Sequence, residues 1–144
     1  MKRARLAAFV LLVAAACPGG VRPMETPLVE LRSASLLDGA LAAELLVVNP
    51  NHEGLVVEAV DWQLDVDEQP LARGRQDLRV VVAALAPAPV SLRGTLSPGQ
   101  AAHLGGGAAT LSGTLHLRSS RGLVAASFYG AVEPAATRAS SAGQ

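Results

Sequence analysis

The chain has 144 residues, a length that suits one domain. Half of its residues are hydrophobic, which is enough for a packed core, but only four are aromatic, so Val, Leu and Ala must form most of that core. Lys plus Arg and Asp plus Glu each number 12, and this balance argues against the basic surface that nucleic-acid binding needs.

The first 16 residues have the pattern of an export signal. A basic start, MKRAR, precedes an apolar run of eleven residues from Leu6 to Ala16. This length matches the roughly 7–15 residues of a signal-peptide core and falls short of the about 20 that a spanning helix needs. We therefore predict a signal peptide over residues 1–16. Its removal leaves nine basic and 12 acidic residues, a net charge of −3, and no lysine.

Cys17, the only cysteine, follows the apolar run directly. The stretch VAAAC resembles the bacterial lipobox, in which small residues precede a cysteine that becomes acylated and N-terminal; Ala14 stands where a Leu is usual. The resemblance implies lipidation of Cys17 and attachment to a membrane through its acyl chains. The alternative is an ordinary signal-peptidase cut after Ala16, which leaves a free thiol. Pro18 and Gly19 replace the Asp that commonly signals inner-membrane retention, so the periplasmic face of the outer membrane is the expected location in the bacterial envelope.

Both flanks of the predicted domain lack apolar periodicity. Residues 17–27 contain PGGVRPMETP, in which Gly and Pro oppose a helix, and we interpret them as a tether. Residues 134–144 are small and polar and are predicted to form a disordered tail. The folded domain is therefore expected over residues 28–133.

Alternation with a period of two recurs through residues 28–133 and predicts β-strands. In VDWQLDVD, Trp62 shares the inner face with Val60 and Leu64, whereas Asp61 and Gln63 share the outer face. A helix is a rival only in LLDGALAAELL, which a glycine interrupts. About seven short strands over a hundred residues indicate an all-β fold, an antiparallel β-sandwich. The predicted strand segments are LVELRSASL, AELLVVN, VDWQLDVD, LARGR, RVVV, PVSLRGTL, ATLSGTLHLR and the return strand at 124–132.

A turn of unusual composition, Asn49-Pro50-Asn51, ends the second of these strands. Asn49 continues the inner face and precedes a proline, so it is expected to be extended and to point inward. Pro50 fixes its own φ and removes a donor that the turn would leave unpaired. Asn51 tolerates the left-handed region, and an Asn side chain bonds amides two residues on. The motif is therefore interpreted as structural, since no nucleophile or carboxylate pair lies beside it.

The stretch LLVVNPNHEGLVVEAVDWQLDVDEQPLARGR resembles the core of the late embryogenesis abundant (LEA) type 2 family, also called the WHy domain. The corresponding features are the Val/Leu strand, the NPN turn at 49–51, Leu55, Trp62 and Gly74. The chain lacks the glycine that the family usually has in the hairpin at DEQP. The resemblance implies an Ig/fibronectin-III-like β-sandwich, a role in stress or desiccation tolerance, no enzyme activity and no cofactor. Bacterial members are often small lipoproteins, which agrees with the interpretation of Cys17.

No constellation for catalysis or metal binding is evident in the sequence. The three histidines, His52, His103 and His116, are far apart, whereas a metal site needs convergent ligands. HLGGG lacks an accompanying nucleophile elbow. The acidic strip formed by Asp61, Asp65, Asp67 and Glu68 lacks the spacing of a calcium loop and is interpreted as a solvated sheet face.

Three functions remain open at this point. The first is a lipid-anchored, non-enzymatic module that protects against stress. The second is an envelope assembly or adaptor subunit that binds a protein by strand addition, with PVSLRGTL as the candidate sheet edge. The third is a carrier of a lipid or other apolar ligand inside a loosely filled domain.

Overall fold

The computed structural model describes residues 23–134. The predicted signal peptide, Cys17 and the residues from 135 onward lie outside this range, so the predictions for them are not addressed by the fold. Within it the chain forms seven strands and one short helix. They are β1 (Leu28–Leu37), β2 (Ala40–Val48), β3 (Leu55–Val66), β4 (Gln69–Val82), β5 (Pro87–Thr95), α1 (Pro98–Ala101), β6 (Ala109–Ser119) and β7 (Gly122–Pro134).

The predicted all-β class and the count of about seven strands are confirmed, although LARGR and RVVV, predicted as separate segments, belong to the single strand β4. The pairing is not purely antiparallel. The strands follow the order β4-β3-β6-β7-β1-β2-β5 in one sheet. β1 and β7 run parallel where Ser35 pairs with Glu133 and Leu36 with Pro134, which makes the sheet mixed. The two-sheet, Ig/fibronectin-III-like sandwich is therefore not confirmed. Alternation identifies the inner face of a strand, but it carries no information about which strand lies beside it.

The sheet curls until it is nearly a barrel. β4 and β5 occupy opposite ends of the strand order, yet only residues 83–86 connect them. Four loop residues bridge at most about 18 Å, so the two terminal strands must lie close together. Their approach is visible where the Arg93 amide donates a hydrogen bond to Gln76 Oε1 over 2.7 Å.

Two tight turns close hairpins through left-handed backbone. Asp38 and Gly39 (φ +50° and +79°) join β1 to β2. The segment LLDGALAAELL, for which a helix was the rival interpretation, is therefore a β-hairpin. Asp67 and Glu68 (φ +50° and +64°) join β3 to β4 without a glycine. Asp67 is held by two bonds to Ala108: its amide donates to the Ala108 carbonyl over 3.0 Å, and its Oδ1 accepts from the Ala108 amide over 3.2 Å.

Glycines alternate with large aromatic residues along one row on the inner face of the sheet. Gly74, Trp62, Gly113 and Phe128 lie side by side on β4, β3, β6 and β7. A Cβ atom on Gly74 would lie 2.6 Å from the Trp62 ring, and one on Gly94 of β5 would lie 2.5 Å from it. The indole therefore fills the interior at the level where β4 and β5 approach each other. Around it lie buried aliphatic residues, including Leu41, Leu45, Leu55, Leu64, Leu92, Leu111, Leu115 and Leu117.

The helix α1 was missed by the strand patterns, although the sequence SPGQ signals it. Ser97 precedes the helix, Pro98 begins it, and Gln100 occupies the third position. The Gln100 amide donates to the Ser97 hydroxyl over 3.3 Å, and the Ser97 amide donates to Gln100 Oε1 over 2.9 Å. This reciprocal pair is a capping box.

The strand directions give the barrel two different ends. Segment 23–27, loops 49–54 and 83–86 and turn 120–121 lie together at one end, which we call the NPN end. Turns 38–39 and 67–68 and segment 96–108 lie at the opposite end, which we call the acidic end. The described chain enters the domain at the NPN end and finishes β7 at the acidic end.

Candidate functional site

Asn49 is fully buried at the NPN end, and each hydrogen-bonding position of its amide is used. Nδ2 donates to the carbonyls of Glu53 over 2.7 Å and of Ala83 over 3.1 Å. Oδ1 accepts from the backbone amide of Asn51 over 3.0 Å and from its side-chain amide over 3.1 Å. An amide that donates twice and accepts twice has no capacity left for a substrate.

Asn51 holds the segment that leads into β1. Its Oδ1 accepts from the amide of Glu25, and its Nδ2 donates to the carbonyl of Glu25, both over 2.8 Å. The carbonyl of Asn51 accepts from the amide of Leu85 over 3.0 Å. The left-handed conformation that Asn51 could tolerate is not used: its φ is not positive, whereas Asp38, Asp67, Glu68 and Leu85 do have positive φ. Its contribution is the side chain, which fixes where the chain enters the domain.

Pro50 and His52 lie on the surface beside these asparagines. Together with Pro23, Asn51 and Arg121 they line a surface depression of about 490 Å³ at the NPN end. The NPN motif thus connects three neighbouring loops, and its outer side faces solvent. Trp62, the fourth predicted motif residue, lies apart from this turn in the middle of the interior.

The outer face of β4, β3 and β6 carries a network of charges that sequence reasoning missed. Asp61 accepts from Arg75 over 3.2 Å and contacts His116 Nε2 over 2.6 Å. Arg75 also donates to Asp77 over 3.1 Å. Glu58 accepts two bonds from Arg118 at 2.5 and 3.1 Å. The alternation of the sequence already places these residues on the outer face. It does not give the strand register, which makes them neighbours.

A groove of about 720 Å³ crosses this outer face. It runs over the backbone of the row that contains Gly74 and Gly113, where outward side chains are absent. Its borders are polar, and Arg73 extends beside Gln63. The groove is open to solvent, and Trp62 and Phe128 also line it, so that it combines apolar groups with charges of both signs. The bordering side chains are those of Asp61, Gln63, Arg73, Arg75, Ser112, Thr114 and Ser127.

This arrangement lacks the geometry of a catalytic centre in the part of the chain that the structure describes. His116 is bonded to Asp61, but no serine or threonine hydroxyl bonds to the imidazole. His103 Nδ1 contacts the carbonyl of Gly99 over 2.7 Å, and His52 is exposed at the NPN end. The three histidines therefore do not converge, and no group of three potential metal ligands occurs within residues 23–134.

The predicted acidic strip is only partly a free carboxylate surface. Asp61 is paired with Arg75 and His116, Asp65 accepts from Gln63 over 2.8 Å, and Asp67 accepts from the Ala108 amide. These carboxylates already have protein partners. Their arrangement stabilises neighbouring strands and turns instead of forming an open calcium loop.

The ion pairs make the stability of the domain sensitive to acid. The hydrogen bond from His116, followed by the charge and hydrogen bond of Arg75, lowers the pKa of Asp61 from its ordinary value of 3.8. The hydrogen bond from Arg118 and its charge likewise lower the pKa of Glu58. A lowered folded-state pKa means that the unfolded chain binds the proton more tightly. This stabilisation is present above the ordinary pKa and is lost as the pH falls through the folded-state value.

We therefore expect Asp61→Asn to unfold more readily than the wild type at pH 7, and we expect the difference to be smaller at pH 3, below the ordinary pKa of Asp61. The difference should be small, because the pair is exposed and screened by solvent. Thermal denaturation followed by circular dichroism at both pH values measures it. An equal difference at both pH values would show that the substitution acts through packing and not through the charge of Asp61.

Within residues 23–134, no helix has the length and apolar character needed to cross a membrane. This finding concerns the described residues alone, and the predicted export signal lies before them.

Comparison with known proteins identifies the fold alone. No family model and no curated protein matches the sequence. A crystal structure of a protein from Archaeoglobus fulgidus matches with a TM-score of 0.53 and 13% identity, covering 76% of this chain and 94% of that one. The solution structure of a candidate LEA protein matches with a TM-score of 0.55 and 11% identity, covering 74% of this chain and 70% of that one. The chain therefore has an LEA-like fold, as the NPN resemblance implied.

Proposed function

We propose that this protein is a non-enzymatic, lipid-anchored component of the bacterial cell envelope, with a WHy-type domain that binds and protects other molecules under water stress. The observation that carries the proposal is the fold shared with a candidate LEA protein. The NPN turn and Trp62 add to it, since they are the residues by which the sequence resembles that family. The membrane attachment is proposed through Cys17, on the periplasmic face of the outer membrane.

The chemistry of the described surface favours binding over turnover. The buried side-chain amide of Asn49 is saturated with partners inside the domain, and the exposed carboxylates of Asp61 and Glu58 are paired with Arg75 and Arg118. The groove over Gly74 and Gly113 offers a wide surface of mixed apolar and polar character without a hydrogen-bonded nucleophile. A surface of this kind suits weak contacts with many partners. We propose no cofactor and no nucleic-acid partner.

The adaptor alternative, strand addition at β5, is opposed by the residues of that strand. Backbone amides along a strand point alternately to its two edges. The amide of Arg93 points away from β2 toward Gln76, so positions 87, 89 and 91 face the same outer edge. Pro87 and Pro89 have no amide hydrogen to offer there, which blunts an edge against pairing.

The lipid-carrier alternative requires interior space, and the centre of the domain is filled. The Trp62 ring lies so close to β4 and β5 that even a methyl group on Gly74 or Gly94 would overlap it. The depressions of the described domain open onto its outer surface. A partner that uses them must therefore contact the outside of the barrel.

Deletion of the gene followed by drying or osmotic shock tests the proposal. We expect reduced survival, restored by the wild-type gene and equally by a variant in which His52, His103 and His116 are all changed to Ala. Circular dichroism of the triple variant confirms that its fold is intact. Failure of a folded triple variant to restore survival would point to a metal or catalytic role. Full survival of the deletion strain would reject the stress-protective role and leave the adaptor and carrier functions.

The membrane attachment is tested separately by Cys17→Ser. We expect this variant to appear in the soluble fraction or to accumulate with its signal uncleaved, because it has no thiol to acylate. The wild type should sediment with membranes and leave them only in detergent. A Cys17→Ser protein that is cleaved normally and stays in the membrane fraction would show that the attachment does not depend on lipidation.

A further inference from the structure

We propose that the NPN end of the domain docks onto the surface of the membrane that holds the chain, with exposed leucines in contact with lipid. This inference rests on the proposed acylation of Cys17. It goes beyond attachment, because a tethered domain is free to tumble, whereas a docked one presents a fixed side to the periplasm. The occupant proposed for this surface is the lipid bilayer itself.

The path of the chain places the NPN end beside the membrane. The Asn51 side chain holds Glu25 by two hydrogen bonds, and Met24 packs against the core. The entering chain is thus bound to the domain at this end. From Cys17 to Pro23 there are six residues, which span at most about 20 Å. The acyl chains on Cys17 therefore keep this end within that distance of the bilayer.

The large hydrophobic side chains that are exposed concentrate at the same end. Six such residues occur in residues 23–134, and four of them lie there: Leu28 (64% exposed), Val81 (67%), Leu85 (58%) and Leu123 (70%). Leu28 ends an outward row that continues across Val48 to Pro87. On the opposite flank, Val81 and Leu123 end a second outward row that passes through Val56 and Arg118.

Leu85 gives the most specific indication of contact. It lies in the loop between β4 and β5 with φ +53°, a conformation that disfavours a bulky side chain. The bond from its amide to the Asn51 carbonyl holds it there, yet its side chain stays mostly in solvent. Burial does not offset the strained backbone in the isolated domain. Strain of this kind concentrates where a residue makes functional contacts.

The charges favour the same orientation. At the NPN end, Arg118 and Arg121 are paired with Glu58 and Glu53. Glu25 adds a third carboxylate there, and Arg79, beside Glu58, adds a third cation, so that the two signs balance. The acidic end carries more carboxylates, which an anionic lipid surface repels. These carboxylates are Asp38, Asp67, Glu68 and Glu133. An upright domain places them away from the bilayer.

The test uses the mature acylated protein, which begins at Cys17, in vesicles of phosphatidylethanolamine and phosphatidylglycerol. Since acylation consumes the Cys17 thiol, Leu85→Cys introduces one reactive thiol for an environment-sensitive fluorophore. Leu37→Cys is the matched control, because Leu37 is an exposed leucine at the acidic end (57% exposed). We expect blue-shifted emission and several-fold stronger quenching by spin-labelled lipids at position 85 than at position 37. Leu123→Cys, on the other flank, should behave like Leu85→Cys.

The outcomes separate docking from attachment. Protein that floats with vesicles while the label at position 85 stays in water would overturn docking and leave the lipid anchor standing. Protein that fails to float, with a Cys17 thiol that still reacts, would overturn both. A label at position 85 that is shielded from water but not quenched by lipid would show a contact with protein and would also overturn docking.

Leu85→Gly should fold with an unchanged or higher melting temperature, because glycine accepts φ +53°.

Discussion

Replacing Trp62 by Ala should lower the free energy of unfolding by about 3–5 kcal/mol, the cost typical of removing a large buried aromatic ring. Trp62 is 6% exposed and lies between the glycines of the two terminal strands. The surrounding backbone cannot collapse into the space, since β4 and β5 are held by their pairings with β3 and β2. Chemical denaturation of the purified domain measures the loss.

A double-mutant cycle with Gly94 tests whether the Trp62 ring packs directly against Gly94 or whether each substitution lowers the stability independently. Gly94→Ala alone should destabilise the protein, because its Cβ would lie 2.5 Å from the indole. In the Trp62→Ala background the same change should be tolerated, because the ring is gone and the methyl group fills part of the cavity. Gly99→Ala is the matched control, since nothing lies within 4 Å of its added methyl group. Additive effects of Trp62→Ala and Gly94→Ala would contradict the proposed contact.

Replacing Asn49 by Ala should cost about 3 kcal/mol, since unpaired buried backbone groups cost about 1–3 kcal/mol each. The Asn51 amide and the carbonyls of Glu53 and Ala83 lose their partner, although water reaches some of them at the barrel end. The unfolding free energy again measures the change. An Asn49→Ala protein of unchanged stability that fails to restore survival after drying would instead make the turn a functional site.

Asn49→Asp keeps the shape of the side chain and tests the same bonds by pH. The new carboxylate would face the carbonyls of Glu53 and Ala83 in a buried site, and both conditions raise the pKa of an acid. With a raised folded-state pKa, the contribution to stability is complete below the unfolded pKa of about 3.9 and is lost as the pH rises through the folded value. We therefore expect this variant to recover part of its stability at pH 4 relative to pH 7. The absence of recovery would mean that the position is hydrated.

Much of the inner surface was predictable from sequence because alternation is a local property of a strand. The predicted inward residues Val60, Trp62 and Leu64 are all buried, and so are Leu111, Leu115 and Leu117 of β6. The hairpin at residues 38–39 was less clear, since alanine and leucine also favour helix. Its Asp-Gly pair decides the outcome, because both residues adopt positive φ in the turn.

The charge network and the entry of the chain at the NPN end were not predictable in this way. Asp61 and His116 are 55 residues apart, and Glu25 and Asn51 are 26 apart. Residues so distant meet only when strand order and register are settled. The sequence pattern shows that Asp61 points outward. It does not show whether the carboxylate is solvated or ion-paired, because that depends on its neighbours on β4 and β6.

The amino-acid sequence by itself determined the all-β class, the strand count, the inward faces and the position of the NPN turn, because these depend on side-chain alternation and on the backbone limits of Pro, Asn and Gly. Only the tertiary structure decided the strand order, the parallel contact between β1 and β7, the closure of β4 toward β5 and the gathering of exposed leucines at one end. Those features arise from pairing between distant segments. Many pairings bury the same inward faces, and loop length, glycine placement and side-chain volume select one among them.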